Sequence, residues 1–305
     1  MDAIVLNGVT KQFGEHLAVD GLSLRVPVGS LYGFIGPNGS GKTTTLRMIL
    51  HILLPDSGEV EVLGRRETRA AQDQVGYLPE ERGLYKRMTV RRLLRYFGQL
   101  KGASGPSLDG DIAEWLATMG LSDWADKKID TLSKGMAQKV QFISAVISRP
   151  ALVILDEPFS GLDPVNADVL KDAVLSLKRK GTTVVFSTHD MGVAEQMCDR
   201  IFMIHKGKKV LDGTLEEIRA HYGSDTIRVR TSGGAGALAG LAGVKEVNDL
   251  GNTQEVRFSG DPQALLRSLM DRTTVQLFEI AHPTLHDIFV RIAAPGREVT
   301  THAMA

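Results

Sequence analysis

Residues 36–43 read Gly36-Pro37-Asn38-Gly39-Ser40-Gly41-Lys42-Thr43 and fit G-x-x-x-x-G-K-[ST] in full. No other feature constrains the fold as strongly, because the pattern needs an apolar strand before it and a helix after it. Residues 31–35 are the apolar run. Leu46, Ile49, Leu50, Leu53 and Leu54 follow at helical spacing until Pro55-Asp56-Ser57-Gly58 stops them. The glycines let backbone N–H groups wrap phosphates, and the helix N-terminus adds a favourable dipole. In such a loop Lys42 bridges the β- and γ-phosphates and the Thr43 hydroxyl ligates Mg²⁺. Gly36, Asn38, Gly39, Ser40, Gly41 and Thr44 complete the expected cradle. A plain Gly-rich turn, the competing reading, does not need this strand–loop–helix setting.

A second strand carries acids. Residues 152–155 are four apolar residues that end in Asp156-Glu157. A buried strand of an α/β sheet delivers its chemistry at the carboxyl end. Asp156 is expected to hold Mg²⁺ through water, and Glu157 to polarise the attacking water or accept its proton. His189 follows another apolar strand, 183–187, and is expected at the same sheet edge. From 151 onward the pattern runs strand, helix (164–180), strand, helix (190–198), the alternation of a parallel sheet.

The rest of the chain sets the frame. At 305 residues, length predicts roughly two domains. Short strands are expected at 3–6, 22–26, 59–63 and 75–78, and residues 89–148 read as mostly helical around a loop at 102–106. A hairpin is expected at Lys206-Gly207, and Thr214-Leu215-Glu216-Glu217 opens a helix as a capping box. After Gly223 the order becomes strand 225–231, helix 234–242, strands 244–250 and 253–259, helix 262–271, strand 274–280 and helix 284–292, a ferredoxin-like βαββαβ order with a further helix. Lys+Arg and Asp+Glu are both 36, so no basic stripe points to nucleic acid or anionic lipid. The single cysteine, Cys198, excludes a disulfide framework and fits a reducing cytoplasm. No run of 18 apolar residues spans a bilayer, and the N-terminus has no signal-peptide pattern.

Leu132-Ser133-Lys134-Gly135-Met136 precedes a helical run at 137–148 and resembles the LSGGQ signature of ABC-transporter ATPase subunits. Phe13, Asp156-Glu157, Ser160-Gly161-Leu162-Asp163 and His189 match that family's aromatic, acidic strand, S-G-L-D loop and switch histidine in order. The resemblance covers residues 1 to about 220. It implies a P-loop (RecA-like) α/β cassette at 1–222 with an antiparallel β subdomain, a helical subdomain at about 86–150, and an α+β accessory domain at 223–305. It implies that ATP is bound and hydrolysed with Mg²⁺ between two subunits facing head to tail. The phosphate loop of one subunit then meets Ser133, Lys134 and Gly135 of the other, with Asp163 at the seam and Phe13 on the adenine. A homodimer and a heterodimer both stay open.

Three departures stand out. Glu80 occupies a position where the family carries a Gln that ligates Mg²⁺, and Lys134 replaces a signature glycine and could offset the added negative charge. Met136 replaces the usual Gln. The stretch Tyr77-Leu78-Pro79-Glu80-Glu81-Arg82-Gly83 and the tail Pro283-Thr284-Leu285-His286-Asp287-Ile288-Phe289 look like exporter ATPases of the sodium-extrusion and drug type. Such a subunit lies on the inner face of the cell membrane and drives a separately encoded permease. Leu84, Tyr85 and Met88 are candidate permease contacts, with local core packing as the alternative. A non-transport ABC ATPase of translation or DNA repair is the competing class. Its members fuse two cassettes or insert coiled coils or zinc modules, and this chain carries one phosphate loop and none of those insertions. A P-loop kinase needs neither the signature nor the S-G-L-D loop.

Overall fold

The structure, a computed structural model, describes residues 1–66, 68–81, 83–222, 226–281 and 283–293. Arg82, the expected domain start at 223 and the chain end from 294 lie outside the described residues. The chain divides into two compact units, Met1–Thr214 and Leu215–Ala305.

In the first unit β1 (Asp2–Phe13) and β2 (His16–Pro27) pair as an antiparallel hairpin. Both run longer than the expected 3–6 and 22–26. Register shifts at Leu6/Val9 and Val9/Lys11 break the alternation by which a strand is read from sequence. Gly8 and Gly21 lie there at φ of 57° and 59°, left-handed backbone that costs glycine no Cβ clash. β3 (Leu31–Ile35) is wholly buried and leads through the loop at 36–41 into α1 (Lys42–Ile49). α1 stops before Leu53 and Leu54 because His51 turns left-handed at φ 55°, leaving Ile52 and Leu54 exposed. β4 (Ser57–Val62) adds to β1 and completes a three-stranded sheet ordered β2-β1-β4.

After β5 (Val75–Leu78) come three helices, α2 (Val90–Leu100), α3 (Gly105–Thr118) and α4 (Lys134–Val146). β6 (Leu152–Asp156), α5 (Pro164–Arg179), β7 (Thr183–Thr188), α6 (Met191–Met197), β8 (Arg200–His205) and β9 (Lys208–Gly213) finish the unit. A six-stranded sheet ordered β5-β6-β7-β3-β8-β9 is parallel except for β9.

Successive residues of its central strands enter opposite cores, as a period of two requires. Val153, Leu155, Val184 and Phe186 pack with α4 and α5. Leu152, Ile154, Val185 and Phe34 pack with α1 and the antiparallel sheet. Two apolar layers therefore clamp the sheet and hold its carboxyl edge fixed. The loops after β3, β5, β6 and β7 all leave from that edge.

The second unit opens with α7 (Leu215–Tyr222) and a strand, β10 (Thr226–Thr231). A 3-10 turn over Gly234–Leu238 stands where a helix over 234–242 is expected. Four glycines at 233–240 pay too much backbone entropy for a regular helix. β11 (Val244–Asp249), β12 (Gln254–Phe258), α8 (Pro262–Met270), β13 (Val275–Ala281) and α9 (Leu285–Ala293) follow. Its sheet is antiparallel and ordered β11-β12-β10-β13. Ile227, Val229, Val256, Leu265 and Leu269 form the core under it.

Candidate functional site

The loop at 36–41 has the shape of a cradle because two of its glycines touch other backbone. A Cβ on Gly36 would strike the Ile204 carbonyl oxygen, and one on Gly41 would come 2.5 Å from the Ala18 carbonyl oxygen. Gly39 is left-handed at φ 75° and open, with nothing within 4 Å of its Cβ position. Lys42 begins α1 and is buried. Its Nζ donates to the Gly36 oxygen at 2.7 Å and the Pro37 oxygen at 3.3 Å. Thr43 and Thr44 are half-buried in the first turn, while Thr45 is spent on the Gly41 oxygen at 2.9 Å. The buried Ser40 hydroxyl has no partner.

The acids of β6 arrive beside this lysine. Glu157 Oε1 lies 3.6 Å from Lys42 Nζ, and both side chains are under a tenth exposed. Glu157 Oε2 lies 3.0 Å from His189 Nδ1. A carboxylate acceptor makes Nδ1 the protonated ring nitrogen of that pair. Glu157 is held at φ 48°, a left-handed backbone unusual for a residue with a side chain. Asp156 is fully buried, and its Oδ1 accepts a 2.5 Å hydrogen bond from Ser187 Oγ. Its other oxygen, Oδ2, has no partner. Ser187 Oγ also accepts from the Glu157 N–H at 3.0 Å. This serine, last but one on β7, organises both acids and was not singled out from sequence. The available signal was a polar residue closing an apolar strand next to the acidic one.

Glu80 is exposed just beyond β5. Burial raises the Tyr77 phenol above its ordinary 10.0, with Asp156 and Glu80 adding to the rise and Arg47 opposing it. Tyr77 is thus in electrostatic reach of both acids. Gln141 of α4 donates to the Pro79 oxygen at 3.4 Å and the Glu81 oxygen at 3.1 Å, tying the Glu80 loop to the signature helix. Phe13 is half exposed at the β1–β2 turn, with Lys11 Nζ 5.6 Å from its ring centroid.

Ser133 caps α4, accepting from the Met136 N–H at 3.2 Å. Ser133 and Lys134 are exposed. The Cβ position of Gly135 lies 3.4 Å from Asn166 Nδ2. Asn166 in turn donates to Asp163, the N-cap of α5, and these bonds hold the Asp163 carboxyl below its ordinary range. The signature and the S-G-L-D loop therefore form one exposed surface. Among the described residues, no hydrogen bond or ion pair joins Ser133, Lys134, Gly135 or Asp163 to the phosphate loop. Among the described residues, one chain does not bring this surface to the phosphate loop.

A phosphate loop between β3 and α1, with the acidic strand β6 two places away across β7 in a parallel run of the sheet, defines a P-loop nucleoside triphosphatase. Comparison with known proteins narrows the class. Residues 19–160 match the family described as ABC transporter, and residues 213–293 match the C-terminal domain of ATP-binding proteins of the DrrA1-3 type. A Bacillus subtilis (strain 168) ABC transporter ATP-binding protein, YhaQ, is 39% identical over 94% of this chain and 97% of its own. A Nod factor export ATP-binding protein I of Rhizobium sp. (strain N33) is 34% identical over 97% of this chain and 98% of its own. A solved ATP-binding subunit of an ABC transporter superposes with a TM-score of 0.69 at 29% identity, covering 72% of this chain and 93% of its own. The chain belongs to the ATP-binding subunits of ABC transporters and carries a DrrA-like C-terminal domain. It is an ATP-binding ATPase subunit of the kind that works with membrane permeases. Among the described residues no helix is long and apolar enough to cross a membrane.

Proposed function

We propose that the chain powers an exporter from the inner face of the cell membrane, as one of two cassettes that close head to tail on ATP and drive a separately encoded permease. One observation carries the enzymatic part. Glu157 is a buried carboxylate fixed between Lys42 and His189 on a strained backbone, at the edge where the phosphate loop opens. In this reading Glu157 orients the attacking water and takes its proton, and His189 holds the carboxylate in place. Lys42 leaves the Gly36 and Pro37 carbonyls for the β- and γ-phosphates. Residues 1–222 act as the cassette and 223–305 as an accessory domain.

The donor set suits Mg²⁺. Asp156 Oδ2 is a buried oxygen without a partner, and a hard cation that prefers oxygen ligands would satisfy it. Thr43 and Glu80 would add oxygens, and the ion would neutralise charge on the phosphates. The export reading rests on the Nod factor export relative and the DrrA-like domain. Separation of the two site halves supports a second subunit, whose Ser133, Lys134 and Gly135 would close on the γ-phosphate opposite Lys42, with its Asp163 at the seam and Phe13 against the adenine.

Glu157→Gln tests the assignment. It should keep ATP affinity within about threefold, lower turnover by about 10²–10⁴-fold and trap an ATP-bound dimer in sedimentation. Near-normal hydrolysis removes Glu157 from its role. Purification from detergent extract should bring a multi-span membrane protein with the wild-type chain; ribosomes or nucleic acid instead would overturn the transport reading.

A further inference from the structure

In the sequence Pro55-Asp56-Ser57-Gly58 reads only as a helix stop, yet its aspartate is tied to the end of β1 by three bonds. The Asp56 N–H donates to the Thr10 oxygen at 2.9 Å, just ahead of the Thr10–Ser57 pairing of β1 with β4. Its carboxylate accepts from Lys11 Nζ through Oδ1 and from the Gln12 N–H through Oδ2, each at 2.7 Å. These two bonds, the lysine's first, hold the carboxyl below its ordinary range. Residues 10, 11 and 12 are thus gripped in succession, immediately before Phe13.

Phe13 closes β1 and is 46% exposed. The chain turns back behind it with Gly14 at φ 56°, and Phe13 pairs with His16 across the turn. Gln12 Nε2 donates to the Gly14 oxygen at 2.8 Å and braces that turn. Lys11 stands two residues before Phe13, on the same face of the strand. Its Nζ lies over the Phe13 ring, 5.6 Å from the centroid, within reach of a cation–π contact. The Lys11 side chain is only 16% exposed, so its ammonium is held between carboxylate and ring rather than free in solvent. One face of the ring is therefore occupied by the chain's own cation, and the other is left for a flat ligand.

We infer that Asp56 is a positioning residue: through Lys11 it holds the Phe13 ring ready for the nucleobase of ATP. The inference rests on the reading of Phe13 as the adenine platform. An exposed ring at a hairpin end must otherwise be ordered when the base arrives, and preorganising it removes that cost from binding. The cation also offsets the negative charge of the ring's π face, which opposes face-to-face stacking with a base. An exposed ion pair contributes little to stability, so this contact should be read in nucleotide affinity rather than in melting temperature.

The test measures equilibrium binding of ATP and of inorganic triphosphate, which carries the phosphates without a base, to the full chain. Phe13→Ala should weaken ATP by at least about fivefold, the loss of one stacked base. Asp56→Asn keeps an oxygen for the Gln12 N–H but drops the charge that holds Lys11. It should weaken ATP about three- to fivefold and leave triphosphate within about 1.5-fold of wild type. Melting temperature should stay within about 2 °C. Lys11→Met should give the same loss of ATP, and on a Phe13→Ala background neither substitution should weaken ATP further. Equal ATP affinity of wild type and Asp56→Asn overturns the positioning role and leaves Phe13 its own. Equal loss of ATP and triphosphate assigns Asp56 a general structural role and overturns it as well, as does an undiminished loss on the Phe13→Ala background. If Phe13→Ala binds ATP as wild type does, the adenine reading and the inference fall together.

Discussion

Ser187 is where the two acids are most exposed to perturbation. Its hydroxyl donates to Asp156 Oδ1 at 2.5 Å and accepts from the Glu157 N–H at 3.0 Å, with no solvent access. Ser187→Ala leaves both groups buried and unpaired. Each costs roughly 1–3 kcal/mol, so the substitution should destabilise by about 2–6 kcal/mol. Relaxation partly offsets the loss, because without its anchor Glu157 can leave φ 48°, a backbone that costs about 1–3 kcal/mol to hold. Turnover should then fall by about 10–100-fold, as for a carboxylate displaced by an ångström, while ATP affinity changes little. Both tryptophans, Trp115 and Trp124, lie in the first unit, so urea unfolding followed by their fluorescence reports that unit alone. Ser144→Ala is the control: its hydroxyl bonds only the Gln141 oxygen one turn back in α4, and its removal should cost under about 1 kcal/mol. A Ser187→Ala variant within about 0.5 kcal/mol of wild type, with turnover within twofold, would refute the view that this serine holds the acids.

Other perturbations read different parts of the site. Lys42→Ala removes the charged donor and should weaken ATP binding by about 10–150-fold in equilibrium titration; wild-type affinity would overturn the phosphate-loop assignment. Lys134→Gly should weaken ATP-driven dimerisation in sedimentation if the lysine offsets the Glu80 charge across the seam, and an unchanged ATP dependence would sink that compensation. Burial raises the Cys198 thiol above its ordinary 9.0, with Asp199 adding and Lys178 opposing. A raised pKa means that the folded state keeps its proton where the unfolded thiol has lost it. Stability is therefore intact below pH 9 and falls above it. Cys198→Ala should flatten that alkaline decline in melting temperature, whatever it costs in packing, and an equally steep decline would assign the slope to other groups.

The parts legible in the sequence were those whose chemistry is local. The phosphate loop announces itself because glycine spacing, lysine and flanking apolar runs must coincide within a few residues. Asp156-Glu157 is legible because a buried strand ends in charge. What stayed hidden depends on distant contacts. Nothing near Leu6 tells that β1 continues to Phe13 through a bulge, since its partner register is set by β2 and β4. Ser187 looks like an ordinary strand residue until β7 pairs with β6 and sets it beside Asp156. Asp56 reads as part of a helix stop until β4 pairs with β1 and brings it against Lys11 and Gln12.

The Ser187 bridge also bears on how hydrolysis would be timed. Glu157 is fixed from β6 through its own backbone, from β7 through Ser187, from the β7–α6 turn through His189, and from α1 through Lys42. Four segments of one sheet edge must agree for the carboxylate to sit where it does. The signature residues take no part in that agreement: among the described residues Ser133 caps its own helix, and the Cβ position of Gly135 lies beside Asn166 and Leu162. On the proposed reading the base is preorganised within one chain, while the far wall of the site comes from the second subunit. In such an arrangement approach of the second wall, rather than assembly of the base, sets when the reaction begins. Isolated monomer should accordingly bind ATP but turn it over slowly, and raising the concentration should increase turnover per chain. Turnover per chain that is high and independent of concentration would show that one chain completes the site alone.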